Sequence, residues 1–270
     1  MNSRLAFSPM LQRCYAKIRR VPIFGDLAHG FIGRILPSGT HVTVTVHTGL
    51  AAGLSLSIDP RYEADYAAGV YEDALLECLA SHLEMGHVFY DVGAHIGFVA
   101  LVGARLVGTE GRVFAFEADP GNSSRVLEHA RMNAFPQIDV IESAVWSKCT
   151  TLPFRRAGDA SSRNTGAVMK SPDSHAIGQI ISIPAVTLDR FAEQHRAPNV
   201  IKVDVEGAES EVLKGAQKIF RDSKPVLICE IHDSIASETV SEWLVNCGYR
   251  WDWMLQGRAF PRHLVAQPGT

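Results

Sequence analysis

No run of the 270 residues approaches the roughly 18 consecutive apolar positions of a membrane-spanning helix, and the N-terminus lacks the apolar core of a secretory signal. A soluble, cytoplasmic protein is the expectation. Cysteine is sparse as well. Cys14, Cys78, Cys149, Cys229 and Cys247 are odd in number, scattered and without a CxxC pair, which argues against a disulfide framework or a zinc knuckle and suits a reducing compartment. An excess of charge of one sign is also missing: 26 Lys and Arg stand against 29 Asp and Glu, a net charge of -3. No overall field concentrates a phosphate backbone, so nucleic acid is not the expected partner and a small molecule is. With 46% hydrophobic and 20% charged residues, what remains is an ordinary folded protein with ample apolar surface for a core.

One stretch departs from this balance. In the first forty residues Arg4, Arg13, Lys17, Arg19, Arg20 and Arg34 face only Asp26, interleaved with Leu11, Tyr15, Ile18, Phe24, Phe31 and Ile32. Two readings stay open: a solvated flap that packs on the core or on a second subunit of a homo-oligomer, and a peripheral membrane contact.

Beyond it, 41–47 alternates Val and Thr and 54–58 alternates apolar residues with Ser, the pattern of a β-hairpin. Tyr71, Leu75, Leu76, Leu79 and Leu83 have helical spacing and predict one helix over 65–83. Strands at 88–92, 112–116 and 139–141 then alternate with helices at 98–106 and 122–132. A polar stretch, 157–174, flanked by apolar 152–154 and 180–184, reads as an inserted hairpin with a mobile tip. The alternation resumes with helices at 188–193, 210–220 and 237–246 and strands at 200–205, 225–231 and 249–254, with further closing strand material at 259–260. Strands separated by crossover helices predict an α/β fold with a doubly wound, mostly parallel sheet. Residues 1–64 form an N-terminal helix and β-hairpin extension in this reading, and 65–270 the catalytic domain.

The strand Val88–Val92 runs into a turn at Gly93, and Ala94, His95, Ile96 and Gly97 lead into the next helix. Glycine is needed where the backbone bends sharply or approaches a ligand closely, although a glycine pair after a strand also serves plain helix–strand packing. Twenty positions after Gly97 the next strand ends in Glu117, where a carboxylate can accept hydrogen bonds from both hydroxyls of a ribose. Together these point to an adenosine-containing cofactor, either a dinucleotide or S-adenosylmethionine. Charge separates the two. A pyrophosphate seeks an uncharged helix N-terminus through a GxGxxG turn, whereas this spacing is DxGxHxG, with Asp91 acidic and His95 where a glycine would stand. S-adenosylmethionine carries an ammonium and a sulfonium, for which Asp91 is an asset, unless Asp91 only caps the next helix.

At this point the chain resembles a known family. Tyr71-Glu72 ahead of a helix, DVGAHIG at 91–97, FEADP at 116–120, ESAVW at 142–146, VTLDRF at 186–191, IKVDVEGAE at 201–209 and LICEIH at 227–232 are similar, in order and spacing, to the FkbM-type methyltransferases. The resemblance spans roughly 65–250. It implies a class I (Rossmann-like) methyltransferase fold, an S-adenosylmethionine cofactor and O-methylation of sugars, glycolipids or specialised metabolites. It also implies that Asp91, Gly93, His95 and Gly97 line the methionine and ribose side, Glu117 and Ala118 the ribose and adenine, and Ser143 and Ala144 the adenine edge, with Tyr71 and Glu72 closing over from outside. His95 departs from the wider methyltransferase pattern, which has a glycine there.

Ligands of doubly wound sheets sit at the carboxyl ends of the strands, so Asp204 and Glu206, then Glu230 and His232, are the catalytic candidates. Acids that follow an apolar run are costly to bury without a partner, though Asp204 or Glu206 could instead cap the following helix. Methyl transfer from a sulfonium is an in-line displacement, in which the enzyme holds the acceptor oxygen and helps remove its proton. His232, with an ordinary imidazole pKa near neutrality, is the expected general base, and Asp204 would orient the sulfonium end or the acceptor. A rival is a divalent cation, Mg²⁺ or Mn²⁺, held by Asp204, Glu230 and His232; the last two lie two apart on one strand and face the same way. No other histidines form a defensible ligand spacing. Two further function classes remain: an NAD(P)-dependent oxidoreductase, disfavoured by Asp91, His95 and the lack of a Tyr-Lys pair at helical spacing, and a non-catalytic binding protein that keeps the fold.

Overall fold

The computed structural model describes residues 41–156, 166–169, 179–255, 257 and 259–269. The basic N-terminal segment and most of the expected hairpin tip at 157–174 lie outside the described residues. Strands β1 (Val42–Thr45) and β2 (Ser55–Ile58) pair antiparallel as the alternation predicts, with Val42 opposite Ile58. Their inward residues Val42, Val44, Leu56 and Ile58 share one apolar cluster with Leu75, Leu79, Phe98 and Leu101.

The single helix expected over 65–83 is two, α1 (Ala64–Ala68) and α2 (Asp73–His82). Gly69 breaks it at φ 65°, where a Cβ would stand 2.5 Å from the carbonyl of Thr48. The chain turns there against the hairpin loop, and Glu72 enters α2 from a left-handed φ of 50°. Periodicity carries no record of such a break, because the apolar positions of both pieces stay in phase.

Three parallel strands follow with their crossover helices: β3 (Val88–Val92), α3 (Phe98–Val107), β4 (Arg112–Glu117), α4 (Pro120–Met132) and β5 (Ile138–Glu142). A small second sheet is inserted next, built from β6 (Ala144–Val145), β7 (Thr150–Arg155), β8 (Ala167–Val168) and β9 (Ile180–Val186). β7 and β9 are the antiparallel flanks of the predicted insertion. After α5 (Leu188–Ala192) and β10 (Val200–Val203), the helix expected over 210–220 is again two, α6 (Glu209–Lys214) and α7 (Gln217–Asp222). Gly215 separates them in close approach to Trp146, whose carbonyl a Cβ would meet at 2.2 Å. β11 (Val226–Ile231), α8 (Ser234–Asn246), β12 (Tyr249–Trp253) and β13 (Arg262–Pro268) complete the chain. β13 lies beyond the closing material expected at 259–260; only Leu264 and Ala266 alternate there as buried residues, too short a pattern to read.

The main sheet has the order β12-β13-β11-β10-β3-β4-β5 and only β13 runs against the rest. Alternate residues go to opposite faces: Phe89, Val113 and Ala115 join the cluster under the hairpin, while Val88, Tyr90, Phe114 and Phe116 join the one under α6 to α8. Both faces are covered, as a parallel sheet requires. The strand order reverses between β3 and β10, and the carboxyl ends of these two strands frame the crevice where doubly wound sheets bind ligands.

His129 locks the hairpin to this frame. Its ring is fully buried; Nε2 accepts the N–H of Ser57 at 2.9 Å, and Nδ1 lies 2.8 Å from the carbonyl of Ile96, to which it donates. That network needs the neutral tautomer, and burial holds the imidazole pKa below its usual 6.5. A depressed folded pKa means stability that is complete above 6.5 and is lost as the pH falls below it. We therefore expect urea unfolding to show a loss of stability from pH 7.5 to 5.5 that is shallower in His129→Gln, with the variant about 1–3 kcal/mol less stable at pH 7.5.

Candidate functional site

At the carboxyl ends of β3, β4 and β10 opens a cleft of about 1110 Å³. Its floor is set by a buried charge network. Lys202 on β10 lies opposite Asp91 on β3, and its Nζ stands 3.3 Å from Asp91 Oδ1, 3.4 Å from Asp204 Oδ2 and 2.8 Å from the Gly93 carbonyl, to which it donates. Asp91 is fully buried. Burial pushes its carboxyl pKa up and that of Lys202 down; the carboxylates around Lys202 override its burial and hold the ammonium well above its usual pKa. Burial also pushes Asp204 up, but Lys202, a hydrogen bond with Glu230 and the nearby His232 and His263 together outweigh it and keep this carboxyl below its usual range.

Asp91 therefore spends its charge inside the protein and does not line the cleft, and Gly97 does not line it either. Gly97 is a packing position: a Cβ there would meet Val126 of α4 at 2.9 Å. Gly93 does line the cleft, but its lack of a side chain serves the approach of the next turn, since a Cβ would stand 1.8 Å from the Asp204 carbonyl.

The remaining cofactor candidates converge. Glu117, at the end of β4, accepts the N–H of His95 at 2.7 Å and of Asp119 at 2.8 Å, and burial pushes its pKa up to about 7. Those bonds occupy one lone pair on each oxygen and leave the others for a ligand. His95 adopts a left-handed φ of 52°, and its Nδ1 lies 3.2 Å from the hydroxyl of Tyr66, a cleft residue that the sequence reading passes over. Ala118, Ser143, Ala144 and Trp146 form one end of the cleft beside β6. Tyr71 and Glu72 border it through the turn between α1 and α2, and burial and then the charge of Asp204 raise Glu72 to about 7.

Asp204, Glu206, Glu230 and His232 line the cleft as a second group. His232 Nε2 is 3.4 Å from Glu206, 3.6 Å from Glu230 and 3.9 Å from Asp204, and its Nδ1 is 2.7 Å from the fully buried Glu209. Burial alone would lower the imidazole; the contact with Glu209 and the surrounding carboxylates raise it to about 9. Burial and the neighbouring Asp204 raise Glu230 to about 9 as well. An imidazolium has no site for an acceptor's proton, so the general-base role expected of His232 would need the ring neutral, against the pull of the carboxylates around it. Glu206 enters from a left-handed φ of 52° and is 42% exposed in its side chain, the most accessible acid of this group. Trp251, Trp253 and Phe260 do not line the cleft; Arg262 covers the Trp253 ring at 3.8 Å.

Among the described residues, the cleft is lined by eight acids, Glu63, Asp65, Glu72, Asp73, Glu117, Asp204, Glu206 and Glu230, and by no Lys or Arg. Arg125 behind Glu63 and Lys202 behind Asp204 offset two of these charges, and the lining as a whole favours a cationic ligand over a pyrophosphate. No helix of the described residues is long and apolar enough to cross a membrane.

Comparisons with known proteins agree with the fold. The Methyltransferase FkbM domain family matches residues 91–251. The chain is similar to the hexuronic acid methyltransferase AglP of Haloferax volcanii, 27% identical over 180 residues that cover 64% of this chain and 67% of that one. In structure it is similar to a methyltransferase FkbM of Methylobacillus flagellatus KT, with a TM-score of 0.51 and 16% identity over 78% of this chain, which spans 56% of that one.

The contact of Gly93 with the Asp204 backbone generates a direct test. Alanine at 93 adds a left-handed strain of about 1–3 kcal/mol and an overpacking cost of about 1–3 kcal/mol. Gly207, at φ 87°, has open space within 4 Å of where a Cβ would stand, so alanine there would add the strain alone. Urea unfolding should place Gly93→Ala below Gly207→Ala by at least about 1 kcal/mol; equal losses would mean that the close approach does not constrain the turn.

Proposed function

Because the chain belongs to the FkbM methyltransferase family, we propose that it transfers the methyl group of S-adenosylmethionine to a hydroxyl oxygen of a sugar or a related small metabolite. The observation that carries the cofactor is the charge of the cleft: eight acids and no Lys or Arg among the described residues, at the switch point of a doubly wound sheet. The donor set fits the ligand. Glu117 would receive the ribose hydroxyls, Ala118 and Ala144 the adenine, and Glu72 and Asp204 the cationic methionyl end. The same lining opposes the nicotinamide alternative, whose pyrophosphate would meet carboxylates.

Bound S-adenosylmethionine supplies a methyl carbon activated on a sulfonium, and in-line attack leaves the C–S bonding pair on sulfur. The chain's residues would hold the acceptor oxygen in line, which alone can supply several kcal/mol of the barrier, and take its proton as the new O–C bond forms. Glu206, the most exposed acid of this group, would accept that proton, with Asp204 held in position by Lys202. His232 would act from its protonated state on the geometry of Glu206 and Glu230. The sugar acceptor is supported by the similarity to a protein named as a hexuronic acid methyltransferase.

Calorimetric titration should give binding of S-adenosylhomocysteine and none of NAD⁺ or NADH. Glu117→Ala should weaken it about 10- to 100-fold, the worth of hydrogen bonds to a charged group. Incubation with methyl-labelled S-adenosylmethionine and a panel of neutral sugars and hexuronic acids should label a hydroxyl oxygen. Binding of a nicotinamide cofactor instead would overturn the reading.

A further inference from the structure

The acid-rich end of the cleft is arranged around one imidazole nitrogen. β10 and β11 are parallel neighbours with Val203 opposite Cys229, which sets Asp204, just past the end of β10, beside Glu230 near the end of β11. His232 follows two residues after Glu230 and so faces the same side. Each of Asp204, Glu230 and His232 offers one ligand atom, and the three atoms lie within 4.8 Å of one another.

Two further observations concern atoms outside that set. Glu209, fully buried, takes His232 Nδ1 at 2.7 Å, and its same oxygen accepts the N–H of Gly207 at 2.9 Å. The ring is thereby fixed with Nε2 aimed into the cleft. A carboxylate on the outer nitrogen is how metal-ligating histidines are held in orientation and tautomer. From the antiparallel strand β13, His263 stands opposite Glu230, and its Nε2 is buried with no hydrogen-bond partner; with Glu72 and Glu230 it forms an overlapping set of the same dimensions. Lys202 is shared between Asp91 and Asp204, and the ion pair of Glu230 is with His232, 3.6 Å away. Carboxyl groups clustered in this way either take up a proton or are joined by a cation.

We propose that Asp204, Glu230 and His232 bind a divalent cation, Mg²⁺ or Mn²⁺, that holds the acceptor through its reacting hydroxyl and a neighbouring oxygen. Two carboxylates and a single imidazole suit these ions, whose octahedral shells keep positions open beyond three protein ligands. In that state His232 is a neutral ligand, and the ion supplies the Lewis acidity that eases loss of the acceptor's proton. It also reconciles the acidic lining with an acceptor that carries a carboxylate. The cation site stands on geometry; its role in presenting the acceptor rests on the methyl-transfer reading.

The test is titration of the purified full chain with Mn²⁺, followed by the loss of the free-ion electron paramagnetic resonance signal and by pulsed detection of a coordinated nitrogen. One Mn²⁺ per chain should bind, displaceable by Mg²⁺, with an imidazole nitrogen coupling that disappears in His232→Gln and persists in His263→Gln. Asp204→Asn and Glu230→Gln should weaken binding at least about 10-fold, and Glu209→Gln, which keeps all three ligands, about 10- to 100-fold. Circular dichroism on each variant separates lost ligation from lost folding, and Glu209→Gln carries the test if a ligand variant does not fold. Absence of stoichiometric Mn²⁺ binding, or a nitrogen coupling that survives His232→Gln, would overturn the site. S-adenosylhomocysteine titrated into the same preparations separates the two ideas. A chain that binds S-adenosylhomocysteine but takes up no Mn²⁺ overturns the cation site alone, and one that takes up Mn²⁺ but does not bind S-adenosylhomocysteine supports the site and removes the methyl-transfer reading.

Discussion

The ammonium of Lys202 is placed where the strand order of the sheet reverses, between a fully buried Asp91 on β3 and an Asp204 just past the end of β10. Each buried ion carries a desolvation cost of several kcal/mol, so the two carboxylates are tolerable at that depth only while the one cation sits between them. Its third contact, the Gly93 carbonyl, fastens the turn after β3 to the same centre. Gly93 then has to be glycine because the Asp204 carbonyl presses on it from the neighbouring turn. The two turns that make the cleft floor are in this sense one electrostatic unit, and the positions of Glu117, Glu72 and the His232 group follow from it.

That unit also explains how a strongly acidic cleft can be built on a Rossmann-like sheet. Folds of this type commonly use the helix N-terminus after the first strand to attract phosphate. Here the charge of Asp91 is consumed internally, and the acids that face the ligand come from elsewhere: Glu72 from the break between α1 and α2, Glu206 from a left-handed turn, Glu230 from the end of β11. The cleft lining is acidic without an unpaired acid under the glycine turn.

Much of the frame was legible in the sequence because its signals are local. Apolar runs such as Val88–Val92 and helical spacing such as Phe98–Val107 mark the crossover pattern, and acids at strand ends mark the crevice. What was not legible depends on contacts between distant segments. The breaks fall at Gly69 and Gly215, where the Thr48 and Trp146 carbonyls come too close for a side chain, and a period of 3.6 residues does not register such approaches. Asp91 reads as a ligand-facing acid until the register places Lys202 opposite it. The signal for that pairing was present, since a lysine between Ile201 and Val203 and an acid in VFYDV are both out of place in buried central strands. His232 reads as a base of ordinary pKa until Glu209, named in the motif but given no role there, is found against its other nitrogen.

Compensation of Asp91 and Asp204 by Lys202 at the heart of the cleft is measurable as a difference in unfolding free energies. Lys202→Met should cost about 3–5 kcal/mol, the penalty for leaving buried charges without their partner, and Lys202→Met combined with Asp91→Asn should recover a large part of that loss. A loss below about 1 kcal/mol for Lys202→Met, or a double variant no more stable than the single one, would contradict the account.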